Sequence, residues 1–167
     1  MKAAGNLRAG RALDLACGAG RNALYLAEHG WHVTAVDGSR VAIEILRDRA
    51  RERGLIVDAR VADLELGGFK IEQDAYDLVC VFYYLQRDIF AAIREGIKEG
   101  GTCAAAIHMV DESPDVKPMN PNFLLQHGEL REVFLDWEIL HYHETAACDK
   151  DPGEHRRRTA EIVARKR

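Results

Sequence analysis

The segment from Ala12 to Asp37 places the strongest constraint on how this chain can fold. An apolar run at its start ends in a turn that contains Gly18 and Gly20, and an amphipathic stretch and a second apolar run, Val33 to Asp37, follow. Short continuous apolar runs are typical of strands buried in a parallel sheet, and glycines allow a sharp turn and the close approach of a ligand. This order of elements predicts a nucleotide-binding βαβ unit.

The glycine turn and the acid at the end of the second run together indicate a ligand site. Backbone amides at the start of the helix form a partly positive surface, which suits a carboxylate or a phosphate. Asp37 is placed to accept hydrogen bonds from ribose hydroxyls. Because many strands end in a glycine turn alone, it is the combination of turn, helix and acid that predicts a cofactor site.

The spacing within the turn separates two classes of cofactor. A dinucleotide site has the pattern Gly-x-Gly-x-x-Gly, in which the third glycine lets the helix pack closely beside the pyrophosphate. Here that third position is Ala23, and a carboxylate, Asp14, lies inside the first strand. Since alanine occurs there in some dinucleotide sites, an NAD-linked oxidoreductase stays open as an alternative function.

From Asp14 to Gly20 the chain reads Asp-x-Ala-x-Gly-x-Gly, which resembles motif I of the class I S-adenosylmethionine-dependent methyltransferases, with Ala16 where that family usually has glycine. Three segments together resemble the tellurite-resistance TehB-like methyltransferases: Asp14–Leu26, Asn122–Tyr142 and Ala160–Lys166. The resemblance covers the chain from about Arg11 to its end. It implies S-adenosylmethionine as the cofactor and methyl transfer as the activity.

The resemblance also implies which residues bind the cofactor. They are Asp14, Ala16, Cys17, Gly18, Gly20, Asn22, Asp37, Gly38, Ala62, Asp63, Leu64 and Phe82. Asp63 follows the third strand at the ligand edge of the sheet and is expected to meet the exocyclic amine of adenine, with a turn or helix-cap role as the alternative. Cys17 is expected to pack beside the turn without a nucleophilic role.

The rest of the chain extends the unit into a larger sheet. Leu55 to Val61 alternates between apolar and polar residues, as an edge strand does, and Tyr76 to Phe82 and Thr102 to Met109 are predicted as the fourth and fifth strands. An apolar stripe from Ile89 to Ile97 predicts a helix that runs on to Gly100. Ser39 is predicted to cap the helix that follows it.

Two further alternating segments, Asp136 to Glu144 and His155 to Lys166, predict a closing hairpin. Such a hairpin is what the methyltransferase fold adds to a plain Rossmann sheet. The predicted fold is therefore α/β: a doubly wound, mostly parallel, seven-stranded Rossmann-like methyltransferase sheet with the order 3-2-1-4-5-7-6 and an antiparallel last strand. A length of 167 residues with 47% apolar residues fits one domain, 1–167.

Two segments outside the regular elements bear on how the site is closed. Residues 1–10 form a short polar segment, whereas TehB-like enzymes usually carry a longer amino-terminal segment over the cofactor. Either the chain is truncated, or another loop or subunit closes the site. Residues 111–126 contain three prolines and predict an irregular loop on the substrate side of the sheet.

Composition excludes several classes of partner. With 23 basic and 27 acidic residues the chain has no broad basic field for a nucleic acid, and no stretch approaches the length of a membrane span or the core of a signal peptide. We therefore expect a cytoplasmic protein, and we leave its oligomeric state open, with a homodimer as one expectation. The cysteines lack metal-type spacing and predict reduced thiols: Cys17, Cys80, Cys103 and Cys148.

Candidate catalytic residues lie on the substrate side. Tyr83 follows the fourth strand and either lines a pocket or packs under a loop; the Asn/Asp-Pro-Pro-aromatic segment of enzymes that methylate bases is missing here, which favours a small-molecule acceptor. The resemblance puts a basic or histidine-containing segment near the active site at the last strand. His155 and Arg158 are therefore candidates to orient the substrate, with a solvated strand start as the alternative.

The nature of the acceptor stays open. A tellurite- or selenite-type oxyanion or a thiol would suit direct displacement at a sulfonium, because a soft nucleophile needs positioning more than a strong base. A cofactor-binding module without catalysis is the remaining alternative. His108 ends the fifth strand and is a further pocket candidate, whereas His141 and His143 share a strand face without a third ligand, so no metal site is predicted.

Overall fold

One continuous sheet of seven strands organises the protein, in the order β3-β2-β1-β4-β5-β7-β6. The computed structural model describes residues 8–112, 116–145 and 157–167. The strands are β1 (Arg11–Leu15), β2 (His32–Asp37), β3 (Val57–Val61), β4 (Tyr76–Phe82), β5 (Ile97–His108), β6 (Glu138–Glu144) and β7 (Thr159–Arg165). The first five strands are parallel, and β7 is antiparallel to both β5 and β6. The predicted order and the antiparallel last strand are confirmed.

Helices cover both faces of the sheet. They are α1 (Arg21–Glu28), α2 (Arg40–Glu52), α3 (Ile89–Gly96) and α4 (Glu129–Val133). Leu24 of α1 and Leu46 of α2 belong to the buried cluster on one face, whereas Ile93 of α3 and Leu130 of α4 belong to the cluster on the other. Successive residues of the central strands face opposite clusters, which explains why these strands are apolar throughout.

The chain order reverses between β1 and β4, which lie side by side at the centre of the sheet. In open parallel sheets a crevice forms at such a point, outside the carboxyl ends of the strands. Ala12 to Leu15 in β1 are at most 1% exposed, so the strand below this crevice is fully buried. The fold therefore places the glycine turn after β1 beside the loop after β4.

The fifth strand begins earlier than its sequence predicts. α3 ends at Gly96, and Ile97 is the first residue of β5, where it pairs with Tyr76. The ammonium group of Lys166 donates to the carbonyls of Arg94 and Ile97, at 2.9 and 2.6 Å, where the helix ends. The apolar stripe is thus helical only as far as Ile93, and the prediction that the helix runs to Gly100 was wrong.

The second helix and the third strand follow their predictions closely. The hydroxyl of Ser39 accepts the Ala42 N–H at 3.2 Å and caps α2 as predicted. β3 lies at the edge of the sheet, and the side chain of Ile56 just before it is 92% exposed. None of the helices within the described ranges is long and apolar enough to cross a membrane.

Candidate active site

The turn after β1 has an unusual backbone. Ala16, Gly18 and Gly20 all adopt left-handed conformations, with φ values of 51°, 55° and 80°. The Cys17 N–H donates to the carbonyl of Val36 at 3.0 Å and ties the turn to β2. A left-handed conformation costs an L-residue about 1–2 kcal/mol, so Ala16 occupies a position where glycine would be unstrained. This explains why the pattern that the turn resembles has glycine there.

The two glycines of the turn have different physical roles. A Cβ atom on Gly20 would lie 2.1 Å from Cδ1 of Leu46, so this glycine is required by the packing of α1 against α2. A Cβ atom on Gly18 would meet nothing within 4 Å. The open space beside Gly18 is therefore where a ligand could approach the backbone.

Asp37 fastens this turn to the end of β2. Its Oδ2 accepts the N–H of Gly18 at 2.8 Å, and its Oδ1 accepts the N–H of Ser39 at 2.8 Å. A carboxylate offers about four lone-pair sites, so these two bonds leave capacity for two more donors. The two hydroxyls of a ribose would match that remaining capacity.

Asp14 is buried beneath the turn, with a side chain that is 1% exposed. Burial raises the pKa of Asp14 to about 7. The charge of Asp37 also raises this pKa, whereas a backbone hydrogen bond from Ala23 and the charge of Arg21 lower it. Within the described part of the chain, its Oδ2 has no hydrogen-bond partner. An unsatisfied carboxyl oxygen in such a place fits a ligand that carries a donor or a positive charge.

The loop after β3 meets the same edge. The N–H of Ala62 donates to the carbonyl of Asp37 at 3.0 Å, which holds this loop beside β2. The Oδ1 of Asp63 accepts the N–H groups of Glu65 and Leu66, at 2.9 and 3.1 Å, so the turn role foreseen as an alternative is present. Leu64 is 9% exposed and packs into the core, where it supports the loop. Contact of Asp63 with adenine stays a prediction.

The remaining residues predicted to bind the cofactor lie around this crevice. Asn22 is buried in the first turn of α1, and Phe82 is half-buried at the end of β4. A Cβ atom on Gly38 would meet only the carbonyl oxygen of Ala62, at 3.8 Å. Burial raises the pKa of the Cys17 thiol well above its usual range, which agrees with a packing role for that residue.

Tyr83 follows β4 in a strained conformation. Its φ is 59°, which is rare for a bulky residue, and its N–H donates to the carbonyl of Ala106 at 2.7 Å. The Tyr83 ring is 46% exposed and lies 5.0 Å from the ring of His108, centroid to centroid. Strained residues of this kind cluster at functional sites. The carboxyl ends of β4 and β5 thus bring an aromatic ring and an imidazole together.

Arg158 lies at the same edge, immediately before β7. Its N–H donates to Oδ2 of Asp111, and its Nε donates to the carbonyl of Thr145, both at 3.0 Å. The next residue, Thr159, pairs with His108 across the sheet. Arg158 is therefore close to the end of β5, with part of its guanidinium engaged by the backbone. His155, the other candidate on this strand, lies outside the described residues.

One arginine that the sequence did not single out holds the substrate-side loop. Nε of Arg87 donates to Oε1 of Glu129 at 2.6 Å, while its terminal nitrogens donate to the carbonyls of Asn122 and Leu124, at 2.7 and 2.9 Å. These contacts join the loop after β4 to residues 121–129, at separations of 35 to 42 positions along the chain. No local pattern could have revealed them.

One histidine of β6 contacts an acid on the neighbouring strand. Nε2 of His141 lies 3.7 Å from Oε2 of Glu161 on β7, and both side chains are about half exposed. In the ranges that the structure covers, no group of three His, Cys, Asp or Glu residues is arranged to hold a metal ion.

The seven-stranded order with helices on both faces is the Rossmann-like fold of the S-adenosylmethionine-dependent methyltransferases. A family model described as tellurite resistance protein TehB matches residues 1–157. The chain belongs to the TehB family.

Individual relatives agree with this assignment. The chain is 28% identical over 166 residues to a protein of Haemophilus influenzae named "Probable S-adenosyl-L-methionine-dependent methyltransferase TehB", a match that covers 94% of this chain and 57% of that protein. The crystal structure of TehB from Haemophilus influenzae superposes with a TM-score of 0.81 at 28% identity, over 99% of this chain and 60% of that one. The chain thus spans less than two thirds of the length of these relatives.

A more distant structure shows the fold alone. An S-adenosylmethionine-dependent methyltransferase from Methanosarcina mazei superposes with a TM-score of 0.73 at 16% identity, covering 99% of this chain and 96% of that chain. The sheet and its flanking helices are therefore shared well beyond the TehB family.

Proposed function

We propose that this chain transfers a methyl group from S-adenosylmethionine to a small molecule. The observation that carries the proposal is the hydrogen bond from the Gly18 N–H to Asp37. This bond lies next to the open space at Gly18 and close to the buried Asp14, whose Oδ2 has no partner among the described residues. Bound S-adenosylmethionine would supply a methyl group made electrophilic by its sulfonium.

The residues present fit the parts of that cofactor. Asp37 has lone pairs left for the ribose hydroxyls, and the amides at the start of α1 suit the carboxylate of the amino-acid part. The ammonium group suits Asp14, whose Oδ2 has no partner among the described residues. Ala62 and Asp63 would flank the adenine, with Phe82 on the β4 side. Holding donor and acceptor in line contributes about 7–11 kcal/mol in well-oriented reactions.

The acceptor side of the proposal rests on Tyr83. Its exposed ring against His108, with Arg158 near the same edge, forms a surface of hydrogen-bonding and cationic groups. Such groups suit a small acceptor with a lone pair and negative charge, and we propose a tellurite- or selenite-type oxyanion or a thiol. His155 remains a candidate for the same role. The cytoplasmic location and the oligomeric state remain predictions from the sequence.

Two measurements test the proposal. Calorimetry with S-adenosylhomocysteine and with NAD should give binding of the first and none of the second; binding of NAD alone would overturn the assignment. Formation of S-adenosylhomocysteine from S-adenosylmethionine should then rise on addition of tellurite, selenite or a thiol such as dithiothreitol. Binding without transfer to any acceptor would instead favour a cofactor-binding module.

Variants of Tyr83 and His108 separate the acceptor side from the cofactor side. Tyr83→Phe and His108→Ala should lower turnover while leaving the dissociation constant for S-adenosylhomocysteine unchanged. His29→Ala is a matched control, because His29 also stacks on a tyrosine, Tyr25, but lies at the opposite end of α1 from the turn. Unchanged turnover in both acceptor-side variants would remove these residues from the site.

A further inference from the structure

Asp14 carries the one carboxyl group among the buried polar residues in the described ranges. It lies on β1, where it pairs with Ala35 of β2 and with Cys80 of β4, and α1 contributes the N–H of Ala23. The Ala23 N–H thus favours the carboxylate form, whereas Oδ2 has no hydrogen-bond partner within these ranges. A buried, half-satisfied carboxyl group of this kind is costly to keep ionised.

The groups around Asp14 do not offset its charge. Arg21, at the start of α1, favours the carboxylate, whereas Asp37, at the end of β2, disfavours it. The thiols of Cys17 in the turn and Cys80 on β4 are neutral at ordinary pH, because burial raises the pKa of each. No ion pair joins Asp14 to a basic side chain in the described part of the chain, so the protein itself leaves the carboxylate undercompensated.

We propose that Asp14 is the proton-linked group of the cofactor site: the cofactor's ammonium group binds in its field, and Asp14 releases its proton as the cofactor binds. The inference rests on the proposed function and deepens it. The neutral carboxylic acid gives its proton to the solvent, the resulting carboxylate pairs with the ammonium group, and no bond of the cofactor is made or broken.

The physical reason is the change in local charge. A positive group that enters a crevice of low dielectric favours the ionised form of a neighbouring acid. Because burial holds the pKa of Asp14 at about 7, the free protein near neutral pH contains both the acid and the carboxylate. Any ligand that favours the carboxylate then releases the protons still bound, and by linkage it binds more tightly as the pH rises.

Calorimetry in two buffers tests the inference. S-adenosylhomocysteine, which carries the same amino-acid part, is titrated into the protein at pH 7 in phosphate and in Tris, whose ionisation enthalpies differ widely. We expect release of about half a proton per ligand from the wild-type protein. Asp14→Asn should bind without this buffer dependence, and Asp77→Asn, which removes a carboxyl group at the opposite end of β4 from the crevice, should keep it. A buffer-independent enthalpy in the wild type, or an undiminished release in Asp14→Asn, would overturn the inference.

A second ligand identifies the group that triggers the release. Methylthioadenosine shares the adenosine and the thioether with S-adenosylhomocysteine but lacks the amino acid. It should bind without releasing a proton, and an equal release with both ligands would overturn the role of the ammonium group.

If Asp14→Asn does not fold, the pH dependence of ligand affinity in the wild-type protein still tests the inference. The affinity for S-adenosylhomocysteine should rise from pH 6 to pH 8 and then level off, and a flat profile contradicts the inference while leaving the proposed function intact. If the wild-type protein binds no S-adenosylhomocysteine at all, the proposed function fails and the inference fails with it.

Discussion

The carboxylate of Asp37 accepts the backbone N–H of Gly18 at 2.8 Å and so joins the end of β2 to the turn after β1. Its second oxygen accepts the N–H of Ser39, immediately before α2. One side chain thus fixes both walls of the crevice in which we propose that the cofactor binds. Because hydrogen bonds to a charged acceptor contribute about 1.5–3 kcal/mol each, Asp37 should matter for both the turn and the ligand.

Asp37→Ala should weaken the binding of S-adenosylhomocysteine by about tenfold or more, because the ribose loses its acceptor and the turn its anchor. Calorimetry measures the affinity, and thermal unfolding measures the accompanying loss of stability. Asp37→Asn keeps one amide oxygen as an acceptor and should have an intermediate affinity. An unaltered dissociation constant in Asp37→Ala would contradict the role of this residue.

Ala16→Gly should raise the free energy of unfolding by about 0.5–1 kcal/mol, since relief of the left-handed strain exceeds the added flexibility of glycine. Urea denaturation of the two proteins gives the difference. Ala19 belongs to the same turn but has no positive φ. Ala19→Gly is therefore the matched control and should lower the stability, and a loss of stability in both variants would count against strain at Ala16.

Gly20→Ala should destabilise the protein by about 1–3 kcal/mol, because the new methyl group would overlap the side chain of Leu46. The double variant Gly20→Ala with Leu46→Ala should cost less than the sum of the two single changes. Gly18→Ala has no such clash, but its φ of 55° makes the new side chain strained, so we expect it to lower stability as well as cofactor affinity, because its methyl group enters the open space. Strict additivity in denaturant unfolding would show that Leu46 is not the obstacle.

Asp14→Asn should stabilise the ligand-free protein at pH 8 and have little effect at pH 4. The pKa of Asp14 is raised in the folded state, to about 7, so its contribution to stability is fully present below about pH 4 and is lost as the pH rises towards 7. Between these pH values the free energy of unfolding falls by up to about 1.4 kcal/mol per pH unit because of Asp14. An asparagine at this position does not titrate, so this fall should disappear in the variant. Urea denaturation at both pH values measures the difference.

Asp77 provides the control of opposite sign for that experiment. Although burial opposes it, hydrogen bonds from the Arg11 N–H and from Lys98 hold the pKa of Asp77 below its usual value. The stability that Asp77 contributes is therefore present above its ordinary pKa and is lost on acidification. Asp77→Asn should destabilise the protein at neutral pH and less so in acid. Equal pH profiles for the Asp14 and Asp77 variants would contradict both assignments.

Arg87→Lys should loosen the substrate-side loop, because an ammonium group cannot serve Glu129 and two backbone carbonyls in one fixed geometry. Hydrogen exchange should become faster at residues 121–126, while the affinity for S-adenosylhomocysteine stays the same. Arg60→Lys is the control, since Arg60 pairs with Asp58 on the exposed edge strand and lies over the ring of Phe69, without contacting the substrate-side loop. Unchanged exchange in Arg87→Lys would show that other contacts hold the loop.

Much of the fold follows from local sequence patterns. The apolar runs, the glycine turn and the alternating last segments predicted the seven strands, and Ser39 was recognised as a helix cap. The order of the strands followed from the resemblance to the methyltransferase family. These features succeed because burial on both faces, the helical period and capping chemistry each leave a signature within a few residues. The boundary between α3 and β5 was misjudged, because an isoleucine at position 97 continues a helical stripe as readily as it begins a buried strand.

The sequence by itself determined the seven strands, the glycine turn after β1 and the acid at the end of β2. The tertiary structure alone decided that Gly20 serves helix packing, that Asp14 keeps an oxygen without a partner in the described ranges and that Tyr83 meets His108. The physical reason is distance along the chain. A local pattern records how one segment is buried, whereas contacts between remote side chains depend on the register and layering of the whole sheet.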